Sequence, residues 1–525
     1  METQLLIQGA DTIIGGRVEK ADVTVDDGLI SAIGAALPVT SSERTIDAQG
    51  LLLAPGFIDL HAHSALRTFD DPLLEAKIGQ GFTTELLCPD GLGPAPLTDE
   101  FVRARESYLS GLEPSVAAPW TWRSIHDYLQ ELTESGPSTN LVSCVPHSAV
   151  REVVMGPVNR KPDRNELRQM KDLVDESFAA GCRALSFGLI YAPGLYADTD
   201  ELIHLAEVAA DYQAPLVPHV RNESEGILTS MKEFIEVSRR SGAPLHISHL
   251  KLVGYPELLK RLLDLLMGAK DHIELSVDQY PYGAGSTILS ALLPPYANET
   301  GPAGLLEKVR TPTEREHMAR DMQDGLPGWE NLFGACGPEN IVITQAAGER
   351  SGDQGKTLEE ISNEQGIDPE FVVMDLLSDT GLDAAMIDHY STEAVVRDIF
   401  TGSGSLVGSD GVFNPHPHPR LYGTAARVLG RFAIRENLIS VPEAVARLST
   451  RPARLLGLDD RGEIATGKRA DLVLIDPARY VDTATYEDPL QTPPGVEIVT
   501  VGGEIVWDHG RHTQARPGTV TTSAR

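Results

Sequence analysis

"FIDLHAHSAL", residues 57–66, ends an apolar run with two histidines one residue apart. An extended strand sends alternate side chains to the same face, so His61 and His63 point together. Two neutral imidazoles aimed at one spot suit a divalent metal, and the competing reading is a mere pair of polar residues at a strand end. If the stretch opens a parallel α/β barrel, its tip lies at the mouth where such folds do chemistry. The rest of the chain decides between the two.

Beyond residue 56 the sequence alternates apolar strand candidates with helix-like runs, the pattern of a parallel α/β structure. "GFIDLHAH", "FTTELLC", "NLVSCVPH", "RALSFGLI", "APLVPHV", "APLHISHL", "IELSVDQYPY" and "SLVGSDG" supply the strands. "DRNELRQMKDLVDESFAAG", "DTDELIHLAEVAADYQ" and "SMKEFIEVSRRSG" are among the helices between them. The expected fold is a (β/α)8 TIM-like barrel over residues 56–455. A Gly/Pro-rich section at about 287–345 reads as a late insertion, and "NIVITQ" and "AAMIDHY" compete for places as strands. Residues 1–55 and 456–525 are β-rich and punctuated by Gly and Asp-Gly. Two such ends flanking a long middle predict one small β-sandwich built from both termini, because domain termini usually lie close together.

The 525 residues are 41% apolar and 23% charged, ordinary for a globular protein. Acidic residues outnumber basic ones 76 to 44, for a net charge of -32, which argues against nucleic acid or an anionic membrane as partner. A small anionic substrate remains compatible, since a few buried basic residues suffice to hold it. The amino terminus lacks the basic and apolar regions of a secretory signal. No apolar run is long enough to span a bilayer. Cys88, Cys144, Cys182 and Cys336 show no CxxC spacing, so reduced thiols in a cytoplasmic protein are expected. Oligomeric state is not legible.

Two further strands end in histidine: "APLVPHV" in His219 and "APLHISHL" in His249. "SLVGSDG" then places Asp410 at the end of the last strand. One histidine at such a position is commonly structural. His61, His63, His219 and His249 converging with Asp410 on one barrel mouth form a far more specific pattern than any one of them alone.

These motifs resemble the amidohydrolase superfamily, and within it the D-aminoacylase (N-acyl-D-amino-acid deacylase) family. The resemblance runs through nearly the whole chain, from "VTVDDGLISAIG" and "APGFIDLHAH" to "GSDG" and "RGEIATGKRADLVLID". "YAPGLY", "ISHLK" and "HPRLYGT" carry the narrower likeness. It implies that His219 and His249 hold a tight zinc ion, and that His61 and His63 bind a second, weaker metal or stand empty. It implies Asp410 as general acid/base, Lys251 and Arg221 as holders of a substrate carboxylate, and Tyr191, Tyr196 and Tyr282 in or beside the pocket. The substrate so implied is a small N-acyl amino acid, with the D preference inherited from the likeness alone.

One departure stands out. The family carries a cysteine metal ligand in a "GNCG" turn after the second strand, whereas this chain has "LLCPDGLGPAPL". Alignment on the flanking residues puts Asp90 at that position, with Cys88 the fallback ligand and ligation by neither the third possibility. Aspartate oxygen can replace thiolate on zinc with harder donor character. The departure keeps alive a hydrolase of cyclic amides or of a specialised acylated metabolite. "RALSFGLI" offers no lysine for the carbamylated bridge of hydantoinases and dihydroorotases. A silent scaffold is disfavoured because the ligand histidines and Asp410 are all present.

Other candidates read as structural. His246 faces away from His249 and packs behind the barrel; His416 and His418 sit in a proline-locked loop. The resemblance implies that this loop borders the pocket, with Arg420 and Tyr422 as supporting groups behind it. His147 suits the pocket or a structural hydrogen bond equally. Glu85 is expected to pair internally and Glu223 to brace a loop.

Overall fold

The apolar runs become the staves of one parallel sheet in a computed structural model that describes residues 2–522. Phe57–Ala62, Phe82–Leu87, Asn140–Pro146, Ala184–Gly188, Leu216–His219, Leu245–Ile247, Leu275–Gln279 and Leu406–Val407 lie side by side in chain order. First and last strands meet through a bridge between Ala62 and Gly411 and a 2.8 Å hydrogen bond from Asp410 N to His61 O. That bond closes the eight-stranded sheet into a (β/α)8 barrel. The first three strands are buried at every residue, which explains their near-continuous apolar runs. Several of the helices between strands start at side-chain caps. Asp163, for example, accepts from the amides of Asn165 and Glu166, and the helix Arg164–Ala179 then buries Met170, Val174 and Phe178.

A buried ion pair pins the closing seam. Lys77 Nζ lies 2.7 Å from Asp59 Oδ2 and donates to Ser409 Oγ at 2.7 Å. Asp59 Oδ1 accepts from the amides of Ser409 (2.7 Å) and His61 (3.2 Å), so one carboxylate joins strand one to strand eight beneath the histidines. Replacing Lys77 with methionine strands a buried carboxylate and should cost about 3–5 kcal/mol of stability. Urea unfolding would measure it; a loss below about 1 kcal/mol would mean the pair does not hold the seam.

"NIVITQ" and "AAMIDHY" do not join the barrel. Ala284–Ile288, Ala384–His389 and Ile341–Ala346 form a separate antiparallel sheet with Ala384–His389 in the middle. It shares its own apolar cluster, including Leu289, Met318, Ile343 and Met374, with the surrounding helices. The excursion from the barrel therefore runs from Gln279 to Leu406, well beyond the expected 287–345. A short apolar β run reads alike in either sheet; only its neighbours tell them apart.

Both ends of the chain build one nine-stranded sheet that joins Glu2–Ile14 and its neighbours to Leu472–Ile475, Val496–Val501 and Glu504–Asp508. The sheet curls until Ile30 N donates to Lys468 O (2.8 Å) and Ala470 N to Gly28 O (2.9 Å), enclosing Leu5, Ile7, Val25, Leu472 and Ile498. At the Asp27-Gly28 turn, where Gly28 has φ +76°, a Cβ would sit 2.8 Å from Gly502 O, so only glycine fits. Past Arg511–His512 the chain runs under the barrel: Leu141 N donates to Thr519 O (2.8 Å), and Thr521 N to Leu141 O (3.0 Å). Among the described residues, no helix is long and apolar enough to cross a membrane.

Candidate metal centre

The strand tips deliver their polar side chains to one buried point. His61 lies in the first strand and His63 just past it, Asp90 comes from the turn after the second, and His219 ends the fifth. His249 and Asp410 sit just past the sixth and eighth strands. Asp90 (φ 55°), His249 (φ 31°) and Asp410 (φ 50°) adopt left-handed backbone, which side-chain-bearing residues tolerate only where the surroundings enforce it. The turn swings each of them into the mouth.

Asp90 is the hub. Its Oδ2 lies 3.2 Å from His61 Nε2 and 3.6 Å from His63 Nε2; its Oδ1 lies 3.3 Å from His249 Nε2 and 3.8 Å from His219 Nδ1. Asp410 Oδ1 lies 3.1 Å from His63 Nε2 and 3.5 Å from His61 Nε2. Two donor groups result, one of His61, His63, Asp90 and Asp410, the other of Asp90, His219 and His249. Ligand atoms about 2.0–2.2 Å from a tetrahedral zinc stand roughly 3.3–3.6 Å apart, close to these separations. Both ring nitrogens of His219 are buried without a hydrogen bond, although Glu223 Oε2 stands 3.3 Å from Nε2. A dry, unpaired imidazole is costly unless something else takes its lone pair. The donor set, the spacing and this orphaned ring all fit divalent cations, with an Asp90 oxygen available to each group.

Surrounding charges prepare the donors. Burial lowers the pKa of His219 to about 3, helped by the His249 and Lys251 charges against the pull of Glu223, which leaves the neutral ring that metals bind. Burial also opposes charge on His63, but Asp410 and Glu113 outweigh it and lift the ring to about 9. His249 is lifted to about 10 as Glu223 and Asp90 overcome burial and Lys251, so an incoming cation displaces a proton there. Burial resists ionisation of Asp410, yet Arg420, His61 and His63 hold its carboxyl well below the usual carboxylate range. The His61 and His249 rings do the same for Asp90. Behind the donors, Glu113 Oε1 faces His63 Nδ1 at 3.6 Å, Glu223 Oε1 faces His249 Nδ1 at 3.2 Å, and Arg420 Nη1 lies 3.0 Å from Asp410 Oδ2. Such partners fix ring orientation and ligand basicity.

Cys88 is buried in the barrel's apolar core, its thiol pushed well up by burial, and belongs to neither donor group. Lys251 Nζ sits 2.5 Å from Glu223 Oε2 and 2.9 Å from His249 Nδ1. Tyr191 reaches the centre and shares a 2.8 Å hydrogen bond with Thr287. Arg221 lies farther out, holding Glu233 at 3.1 Å and donating to the carbonyls of Leu195 and Ala197 at 2.9 Å. The structure does not bring Tyr196 or Tyr282 into the lining. Tyr196 donates to Pro295 O (3.0 Å), and the Tyr282 ring packs under Arg427. His246 bonds Ser276 and Asp278; Asp278 also accepts from His249 N (2.8 Å), so His246 steadies that turn from behind. His416 and His418 tie the loop to Tyr486, and His147 bonds Glu201. Glu85 accepts from Ser64 and Thr139.

Glu223 matters more than its loop position suggests, touching His219, His249 and Lys251. Glu113, Glu330 and Asp388 carried no local signal. A tight inner space of ≈ 30 Å³ adjoins the donors and is lined in part by Lys251, Ser286, Thr287 and Asp388. It shares Ile190, Tyr191, Glu330 and Leu332 with an outer cavity of ≈ 310 Å³. Burial and the neighbouring Glu223 charge raise Glu330 to about 8, and burial raises Asp388 to about 7.

A sequence profile described as the amidohydrolase family matches residues 44–507. The N-acyl-D-glutamate deacylase of Alcaligenes xylosoxydans xylosoxydans is 31% identical over 522 residues, 98% of this chain and 96% of that one. A D-aminoacylase structure, described for a binuclear metal centre with one-metal activation and second-metal attenuation, superimposes with a TM-score of 0.83 at 28% identity, covering 99% of this chain and 100% of that one. The N-acyl-D-glutamate deacylase of Bordetella bronchiseptica, solved with zinc and a phosphonate mimic of the tetrahedral intermediate, gives 0.82 at 29% identity over 99% and 100% of the two chains. The match spans the curled sheet as well as the strand tips, and the chain belongs to the amidohydrolase family, in the branch of these D-aminoacylases.

Proposed function

We propose that the chain is a zinc-dependent amide hydrolase that removes the acyl group from N-acyl-D-amino acids. The observation that carries this reading is the convergence of His61, His63, Asp90, His219 and His249 with Asp410 on one buried point. His219, His249 and Asp90 would hold a tight zinc, and His61 and His63, with an oxygen of Asp90, a second and weaker ion. When bound, zinc lowers the pKa of a water to about 7 and polarises the scissile carbonyl. Asp410 takes the proton of the attacking water and returns it to the leaving nitrogen as the tetrahedral intermediate collapses. Arg420 pins Oδ2 of Asp410 and leaves Oδ1 facing His63.

Lys251 is the one lysine or arginine lining the inner space among the described residues, and we assign the substrate α-carboxylate to it. Arg221, engaged by Glu233 and two carbonyls, acts as a brace on the loop before it. A charge-assisted hydrogen bond of about 1.5–3 kcal/mol makes Lys251→Met lower kcat/KM roughly 10- to 100-fold, mostly through KM. Steady-state kinetics would show it; an unchanged KM would remove Lys251 from the carboxylate role. D selectivity follows if carboxylate, amide and side chain must each meet a separate wall. The buried free thiols support a cytoplasmic setting. A zinc-supplemented hydrolysis screen of N-acetyl D- and L-amino acids with mass detection tests the function. Turnover confined to the D series is expected, and silence across that series would sink the reading.

A further inference from the structure

Glu330 lies in the excursion that covers the barrel mouth, just before the short helix Leu332–Cys336. It is 3% exposed and lines both the inner space and the outer cavity. Its Oε1 accepts from the Glu223 amide, while its Oε2 is buried with no hydrogen-bond partner. A buried carboxyl oxygen left unpaired costs stability unless something that enters the cavity satisfies it. Among the described residues, the lysine and arginine that line the two spaces both face other carboxylates, Lys251 that of Glu223 and Arg221 that of Glu233. Asp388 adds a further acidic group to the inner wall. Trp329, Tyr296 and Tyr108 line the outer cavity, and ring faces attract cations. A third metal at His219, Glu223 and Glu330 is opposed by the Lys251 ammonium 2.5 Å from Glu223.

We propose that Glu330 selects N-acyl-D-amino acids whose side chains end in a cation, such as lysine, ornithine or arginine. This rests on the hydrolase reading above. The reacting amide sits among the strand-tip donors, and the side chain runs outward past Tyr191, so that its charged end meets Oε2 between the aromatic walls. A neutral apolar side chain would seal that oxygen from water unpaired. An acidic one would bring that oxygen no cation.

The test compares kcat/KM of the zinc-loaded enzyme for N-acetyl-D-lysine, N-acetyl-D-norleucine and N-acetyl-D-glutamate. Lysine should exceed norleucine, which has the same four side-chain carbons without the ammonium, by about tenfold or more. Glu330→Gln, which keeps an acceptor for the Glu223 amide, should shrink that ratio about tenfold, chiefly through KM. Acetylating the lysine Nε in the substrate should have the same effect on the unaltered enzyme, a readout independent of whether the variant folds. Norleucine equal to or above lysine would overturn the assignment while leaving the hydrolase reading intact, as would a ratio that survives both changes. Silence toward every D substrate would remove both.

Discussion

A His249→Ala variant is expected to keep its fold, lose its zinc and fall to background activity. His249 Nε2 lies 3.3 Å from Asp90 Oδ1, and its Nδ1 is held between Glu223 and Lys251, so the ring is fixed towards the ion site. Because its backbone is left-handed, with φ 31°, alanine also removes the side chain that gives the strained turn its purpose. Metal analysis after dialysis against zinc, read beside circular dichroism, checks the result. A folded variant that still binds one zinc and turns over would show that the tight site lies elsewhere.

Asp410→Asn should behave differently. Asparagine preserves the shape and leaves Arg420 a carbonyl oxygen to meet, but it cannot accept the water's proton. Turnover should fall roughly 10²–10⁴-fold with the tight zinc retained, because His219, His249 and Asp90 remain. The two variants thus separate holding the ion from moving the proton. If Asp410→Asn kept near-full turnover, proton handling would belong to another group.

The readability of the site follows from its construction. His61 and His63 are visible because a two-residue period puts both on one face, and their strand is buried throughout. His219, His249 and Asp410 are visible because each follows an apolar run, and parallel strands all present the same end to the mouth. Glu223 was undervalued because its loop folds back on the histidines, which no local pattern shows. Glu330 and Asp388 arrive from the long excursion between Gln279 and Leu406, whose course over the mouth is decided by its own apolar cluster. Tyr196 and Tyr282 lie close in sequence to pocket residues, yet their rings serve Pro295 and Arg427 instead. Nearness along a loop does not set where a ring points.

The stretch from Gly518 to Thr521 is bonded on both sides of Leu141, and Arg516 reaches the carbonyl of Gly136 at 2.6 Å. Residues 516–521 thus form a girth strap for the third stave. Shortening the protein to residue 512 would bare an amide and a carbonyl that water must then serve, and would loosen a stave whose far end faces the catalytic rim.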